Sequence, residues 1–384
     1  MSGRTAVFKT LNTALFDDSP VIWFHCASLG EFEQGRPIIE NFKSQYANYK
    51  IVVTFFSPSG YEVRKEYTNA DVVTYLPLDT KRNARKFIRI VKPKIAVFVK
   101  YEFWPNFLNE LKKEQIPTIL VSGIFRESQS FFKWYGSWMR TSLAAFNHFF
   151  VQNENSKKLL NGIGFDNITI SGDTRFDRVF EITRQDNSLD FIERFIGDKL
   201  VLVAGSTWEK DEALLVSYIN NHAGENEKFI IAPHTIDPNQ INKLQERIFT
   251  KSLLYSDKLN AEYADVQVLI VDSIGILTKV YSYANIAYVG GGFGVGIHNI
   301  LEPATFGVPI LIGPNYKKFK EAVDLIEEGA CIVVRDNVQL QGELSPLVRD
   351  RKFREGKGHK AENYIKKNVG ATPIIIDYLH KILG

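Results

Sequence analysis

The sequence predicts an α/β protein of two doubly wound domains in tandem. Short runs rich in β-branched and aromatic residues recur from end to end, helix-length segments separate them, and the pattern restarts after a polar interval near residues 175–190. Apolar runs without polar alternation suit strands buried on both faces, as in a parallel sheet with helices on either side. A chain of 384 residues suits two domains of ordinary size.

Taken in order, "VIWFH" (21–25), "IVVTFF" (51–56), "DVVTYL" (71–76), "KIAVFV" (94–99), "TILVSG" (118–123), "HFFVQ" (148–152) and "ITISG" (168–172) read as strands. Helical patterns lie between them, as at 33–47, 80–91 and 153–162. The stretch 183–199 is polar and lacks strand character, which places the domain boundary at 1–178 against 179–384. Strands resume with "LVLVAGS" (200–206), "KFIIAPH" (228–234), "VQVLIVD" (266–272), "IAYVGGG" (286–292), "VPILIGP" (308–314) and "ACIVVRD" (330–336). The end of the chain reads as terminal helices that can pack back on the first domain. Paired domains of this kind offer a cleft at the carboxyl ends of their sheets, where ligands bind.

Composition narrows the class. Two cysteines, Cys26 and Cys331, are too few for a disulfide framework and suit a reducing, cytoplasmic setting. No run reaches the roughly 18 apolar residues a spanning helix needs. Residues 1–178 hold 24 Lys and Arg against 17 Asp and Glu, a charge of +7, and the remainder holds 23 against 27, a charge of −4. The front half therefore favours an anionic partner or membrane surface, but too weakly to indicate nucleic acid. Metal-binding patterns such as HExxH, CxxC or Asp-x-Asp are absent.

Ser28-Leu29-Gly30-Glu31 stands where the first predicted strand gives way to a helix. Gly30 permits a tight turn or a ligand's close approach. The helix dipole favours an ionised carboxylate in the first turn, and a general base must be ionised at working pH. A plain helix start uses the same residue types, so position alone leaves both roles open. "YVGGGFGVGIHNILEP" (288–303) crowds five glycines into 290–296, with a helix expected from about Asn299. Exposed amides beside a helix N-terminus suit an anion, and Glu302 suits two vicinal ribose hydroxyls. The loop is neither GxGxxG nor a Walker A motif. Gly205-Ser206-Thr207 precedes acids in a first helical turn, an N-cap in any case, with phosphate contact as an addition. Pro233-His234 ends the next strand, with His234 either structural or facing a base or phosphate. "KRNARKFIRIVKPK" (81–94) carries seven cations, either a solvated helix face or a site for phosphates or anionic lipid. "FRESQSFFKWYGSWMR" (125–140) interleaves aromatics with cations, dividing between core and a membrane-facing or acyl-chain patch.

The segments "IWFHCASLGE", "YEFWPN", "VSGIFRES", "VQNENS", "SGDTRFD", "AGSTWEKDE" and "VGGGFGVGIHNILEPATFGVPILIGPN" occur in the order seen in 3-deoxy-D-manno-octulosonic acid (Kdo) transferases. The chain resembles that family colinearly from about residue 21 to 330. The resemblance implies a GT-B enzyme, two Rossmann-like domains facing a central cleft. It implies inverting transfer from CMP-Kdo to a lipid A precursor in lipopolysaccharide biosynthesis, at the cytoplasmic face of the inner membrane. CMP-Kdo is a co-substrate, and neither cofactor nor metal is expected. By position Glu31 matches the family's catalytic base, and Glu102 matches a second acid near the acceptor, with Ser28 and Gly30 beside them. The CMP-binding segments match Pro233-His234, Ile274-Gly275-Ile276 and Asn299-Ile300-Leu301-Glu302, to which Ser206, Thr207, Gly291 and Gly292 are added. Two positions depart from the pattern: the family often has Arg where His234 stands, and Met-Gly-Glu where Ile274-Gly275-Ile276 stands. The family's usual apolar anchor is missing from "MSGRTAVFKTLNTALF", which reads as a trimmed start. Open alternatives are a UDP-sugar transferase or epimerase of the same fold, and a non-catalytic nucleotide-sugar or lipid-binding module. Retention of Glu31 and Glu302 argues against the module.

Overall fold

The computed structural model describes residues 6–260, 263 and 265–384. The chain divides into two compact units, Met1–Arg178 with Asn368–Gly384, and Val179–Lys367. In the first unit β1 (Val21–His25), β2 (Lys50–Phe55), β3 (Val72–Tyr75), β4 (Pro93–Val99), β5 (Thr118–Gly123), β6 (His148–Val151) and β7 (Ile168–Ile170) form one parallel sheet. Its order is β3-β2-β1-β4-β5-β6-β7. Alternate residues feed two apolar layers. Trp23, Phe98 and Phe149 face one, with Phe87 and Phe107 from helices Lys81–Val91 and Pro105–Lys113. Phe24, Val97 and Phe150 face the other, with Phe42 from helix Leu29–Gln45 and Ile375, Ile376 and Leu379 from the last helix, Ala371–Leu383. Burying both faces explains why these strands read as unbroken apolar runs.

The second unit holds β8 (Leu200–Thr207), β9 (Glu227–Pro233), β10 (Ser252–Leu254), β11 (Val268–Ile270), β12 (Ile286–Val289), β13 (Ile310–Ile312) and β14 (Cys331–Val333). These are parallel in the order β10-β11-β9-β8-β12-β13-β14. β10 is absent from the sequence expectation, because three half-buried residues at a sheet edge carry no apolar run. Strand character stops at Val289, so Gly290–Gly292 are loop rather than the end of a strand. The helix expected from Asn299 begins at Leu301 and ends at Thr305. The polar interval 183–199 contains helix Asp190–Ile196.

Helix Val7–Ala14 buries Val7 and Leu11 in the first unit. Residues 1–5, the start of the stretch read as trimmed, lie outside the described residues. Among the described residues no helix is long and apolar enough to cross a membrane.

Candidate functional site

In a doubly wound sheet, ligands bind at the carboxyl ends of the strands, beside the point where strand order reverses. In the first unit that point lies between β1 and β4. Ser28 to Glu31 follow β1, and Lys100 to Glu102 follow β4. Ser28 caps helix Leu29–Gln45, and Glu31 closes a capping box with it. Glu31 Oε2 accepts the Ser28 N–H at 3.1 Å and meets the Ser28 hydroxyl. The other oxygen, Oε1, lies 3.7 Å from Lys100 Nζ. A buried carboxylate needs partners, and Glu31 is buried with one oxygen on its helix cap and the other beside an ammonium. Lys100 itself sits at φ +73°, a conformation that a side-chain-bearing residue rarely adopts and that gathers at functional sites.

Glu102 accepts the Trp104 indole N–H at 3.0 Å and lies 3.6 Å from His25 Nε2. Burial pushes the Tyr101 hydroxyl up, and Glu31 and Glu102 push it further. The Cys26 thiol rises for the same reasons in the same order. These shared causes place the two carboxylates in one electrostatic neighbourhood. A Cβ at Gly30 would meet only Ser28 Oγ, at 3.7 Å, and its φ lies outside the glycine region. A tight turn therefore does not account for Gly30, and a side chain there would meet no clash.

In the second unit the order reverses between β8 and β12. Ser206 adopts φ +53° at the end of β8. Thr207 is buried and donates its hydroxyl to Glu212 Oε1 at 3.1 Å, and burial raises the Glu212 carboxyl. Asp211, without exposed surface, accepts the Trp208 N–H at 2.9 Å, the Tyr288 hydroxyl at 2.7 Å and the Gly291 N–H at 2.9 Å. This corrects the expectation of free glycine amides: that of Gly291 is held by Asp211, and that of Gly290 donates to Gly205 O. A Cβ at Gly292 would lie 2.6 Å from Gly313 Cα, so close backbone packing demands that glycine.

Pro233 closes β9, and the His234 N–H donates to Thr207 O at 2.9 Å. The His234 ring covers two others, Trp208 at 4.6 Å and His298 at 4.3 Å between centroids. Trp208 and His298 lie within 10° of one plane, and Trp208 Nε1 donates to His298 Nε2 at 2.9 Å. An indole N–H can only donate, so His298 is neutral with its proton on Nδ1. Burial lowers the His298 pKa, and His234 lowers it further.

Asn299 is exposed, whereas Ile300 and Leu301 are core residues that can offer a ligand only main chain. Glu302 accepts from Thr278 Oγ1 at 3.0 Å on one oxygen and from Asn299 Nδ2 at 2.9 Å on the other, which fixes its carboxylate plane and leaves each oxygen a further lone pair. The Thr278 bond ties this segment to the turn Ile274-Gly275-Ile276, where Gly275 has φ +95° and Ile274 is 87% exposed. A cavity of about 580 Å³ opens beside the ends of β8 and β9, its lining including Thr207, Trp208, Glu212, Pro233 and Arg247. The structure thus gathers Ser28, Gly30, Glu31 and Glu102 in the first unit and the expected donor residues in the second. Sequence reading missed Lys100, His25, Trp208, Asp211 and His298. Of these only Asp211 had a local signal, its place among the acids of a first helical turn.

Residues 3–178 match the sequence model of the family described as 3-deoxy-D-manno-octulosonic-acid transferase (kdotransferase). A 3-deoxy-D-manno-octulosonic acid transferase of Haemophilus influenzae is 27% identical over 382 residues, 94% of this chain and 87% of its own. One of Chlamydophila psittaci is 28% identical over 330 residues, 83% of this chain and 76% of its own. A bifunctional glycosyltransferase/methyltransferase of Fusobacterium nucleatum is 28% identical over 338 residues, 85% of this chain but 52% of its own, so the chain spans about half of that relative. Among solved structures, the UDP-GlcNAc 2-epimerase of Neisseria meningitidis aligns with a TM-score of 0.64 at 14% identity, over 94% of this chain and 100% of its own. A glycosyltransferase of Rickettsia africae aligns with a TM-score of 0.57 at 13% identity, over 96% of this chain and 99% of its own. At such identities these two speak for the fold alone, the two-domain Rossmann-like GT-B fold. The chain is thus similar to 3-deoxy-D-manno-octulosonic acid transferases over most of its length, and its front half fits that family's own sequence model.

Proposed function

We propose that the protein is an inverting glycosyltransferase that moves Kdo from CMP-Kdo to a lipid A precursor in lipopolysaccharide biosynthesis, without a metal. The observation that carries this reading is Glu31, a buried carboxylate at the switch point of the first sheet with Lys100 beside Oε1. In the reaction a sugar hydroxyl of the acceptor attacks the anomeric carbon of Kdo from the face opposite the phosphate. The new C–O bond forms as the bond to the CMP oxygen breaks, and Glu31 takes the hydroxyl proton. Ser28 and Lys100 hold that carboxylate in one orientation, and Glu102 stands by for the acceptor. On the donor side Ser206, His234, His298 and Asn299 surround the ends of β8, β9 and β12, where a departing phosphate finds polar groups.

The acceptor is a phosphorylated, acylated disaccharide, and one face of the first unit suits it or the bilayer that carries it. Helices Val7–Ala14, Lys81–Val91, Pro105–Lys113 and Ser137–Leu143 cover one layer of that sheet. All seven cations of 81–94 are exposed, and five of them line a groove of about 730 Å³. Trp134 is 91% exposed, with Tyr135 and Trp138 exposed near it. Aromatics beside cations are the composition of an interfacial membrane contact.

The test is Kdo transfer from CMP-Kdo to a lipid A precursor with EDTA present, comparing wild type with Glu31→Gln, and CMP with UDP as competitors. Wild-type transfer that Glu31→Gln abolishes while CMP still binds supports the whole reading. Equal rates remove Glu31 as the base, and competition by UDP rather than CMP replaces the donor.

A further inference from the structure

Five residues of the first unit form a run of polar contacts that ends at the carboxyl edge of its sheet. The Trp23 indole N–H donates to Thr54 Oγ1 at 2.8 Å. Thr54 Oγ1 lies 2.9 Å from His25 Nδ1, across the paired strands β1 and β2. His25 Nε2 lies 3.6 Å from Glu102 Oε2, the same oxygen that accepts the Trp104 indole N–H at 3.0 Å. Trp23, His25 and Thr54 are fully buried, and His25 Nε2 has no hydrogen-bond partner within the protein.

Two proton arrangements fit these donors. Thr54 has one hydroxyl proton and two acceptors in reach, His25 Nδ1 at 2.9 Å and Phe24 O at 3.4 Å. With the Trp23 indole donating to the hydroxyl oxygen, Thr54 either gives its proton to Nδ1, or gives it to Phe24 O and accepts from an Nδ1–H. In the first arrangement His25 is the Nε2–H tautomer, with that N–H on the side of Glu102. A histidine kept only for packing would have both nitrogens satisfied in the core. This one has its outer nitrogen unspent, just beyond bonding distance of a carboxylate at the strand ends.

We propose that His25 is a positioning residue for Glu102. Its Nε2–H, fixed by Thr54 and Trp23, acts with the Trp104 indole to hold Glu102 Oε2, leaving Oε1 to face a sugar hydroxyl of the acceptor. The gap of 3.6 Å closes to a hydrogen bond when the acceptor is in place. Apo contacts around catalytic groups are commonly long and tighten in the complex. The inference rests on the proposed function for the acceptor role of Glu102, but its geometry can be tested without turnover.

Nitrogen NMR of the protein labelled in its histidines reads the tautomer directly. The expected result is Nε2–H for His25 in wild type, with the ring resonances shifted by Glu102→Gln and the tautomer released by Thr54→Val. An Nδ1–H ring in wild type, or a ring blind to Glu102→Gln, overturns the proposal. The kinetic arm uses His25→Gln and His25→Leu, with an unchanged thermal unfolding profile as the check that the first unit has folded. The acceptor kcat/KM should fall about 10- to 100-fold, the scale of a misplaced catalytic group, with the donor KM unmoved. In the Glu102→Gln background the same changes should cost almost nothing, since both act through one carboxylate. Fully additive losses overturn the positioning role. A wild type that transfers no Kdo removes the proposed function, while the NMR arm still decides the contact.

Discussion

Asp211 has no exposed surface, yet it accepts three donors from two segments: Trp208 from one, Tyr288 and Gly291 from the other. Asp211→Ala strands those donors in a dry site. It should lower the stability of the second unit by about 3 kcal/mol, read as a lower urea midpoint, and weaken CMP binding as the glycine loop loosens. Glu31→Gln keeps size and packing but removes the proposed proton acceptor. The rate should drop at least about 100-fold, the usual scale of general-base loss, with donor binding intact. His298 carries a pH prediction. Its native pKa lies below the ordinary 6.5 because burial and His234 oppose the charge. The unfolded chain therefore binds the proton more readily, so stability rises with pH across that window. This contribution is present above about pH 6.5 and is lost as pH falls toward the lowered native value. Trp208, His234 and Asp211 are the groups that face the ring, and Asp211 works the other way. Denaturation of wild type and His298→Asn from pH 5 to 8 should show a shallower acid slope in the variant; parallel slopes would refute it.

At the level of elements, the last helix belongs with a sheet that begins some 350 residues earlier. Asp177 accepts the amides of Gly370 at 2.6 Å and Thr372 at 2.9 Å, with the Thr372 hydroxyl at 3.1 Å. Burial raises its carboxyl despite those bonds. Losing this side-chain cap by Asp177→Ala should destabilise the helix by about 2 kcal/mol. Hydrogen exchange should rise across 371–383 before it rises in β1 or β4, and equal protection throughout would mean the cap is not the tether. Nothing in the sequence of that helix names its partner. Its apolar stripe was legible; the carboxylate that caps it lies nearly 200 residues away.

On the scale of the molecule, charge and exposed aromatics gather in the first unit. Residues 1–178 carry +7 against −4 for the rest, and Trp134, Tyr135 and Trp138 stand out from the surface. Trp134→Ala with Trp138→Ala should weaken binding to anionic vesicles without moving the thermal midpoint, since neither indole is in the core. The basic helix should make that binding fall with salt as the Debye length shortens. Binding insensitive to both would remove the membrane contact from the proposed function.

The sequence by itself determined both parallel sheets, nearly all their strands and the corners where candidate residues stand. Strands buried on two faces must be apolar throughout, and that pattern is local. Its one lapse in strands, β10, is a three-residue edge with little to bury. Ser28 and Glu31 were legible because a capping box is written within four residues. Only the tertiary structure decided that Lys100 meets Glu31, that His25 points at Glu102 across a neighbouring strand, and that Asp211 takes the Gly291 amide. These pairings join residues far apart in the chain whose types are each ordinary. What makes them a site is strand order, which brings β1 beside β4 and β8 beside β12.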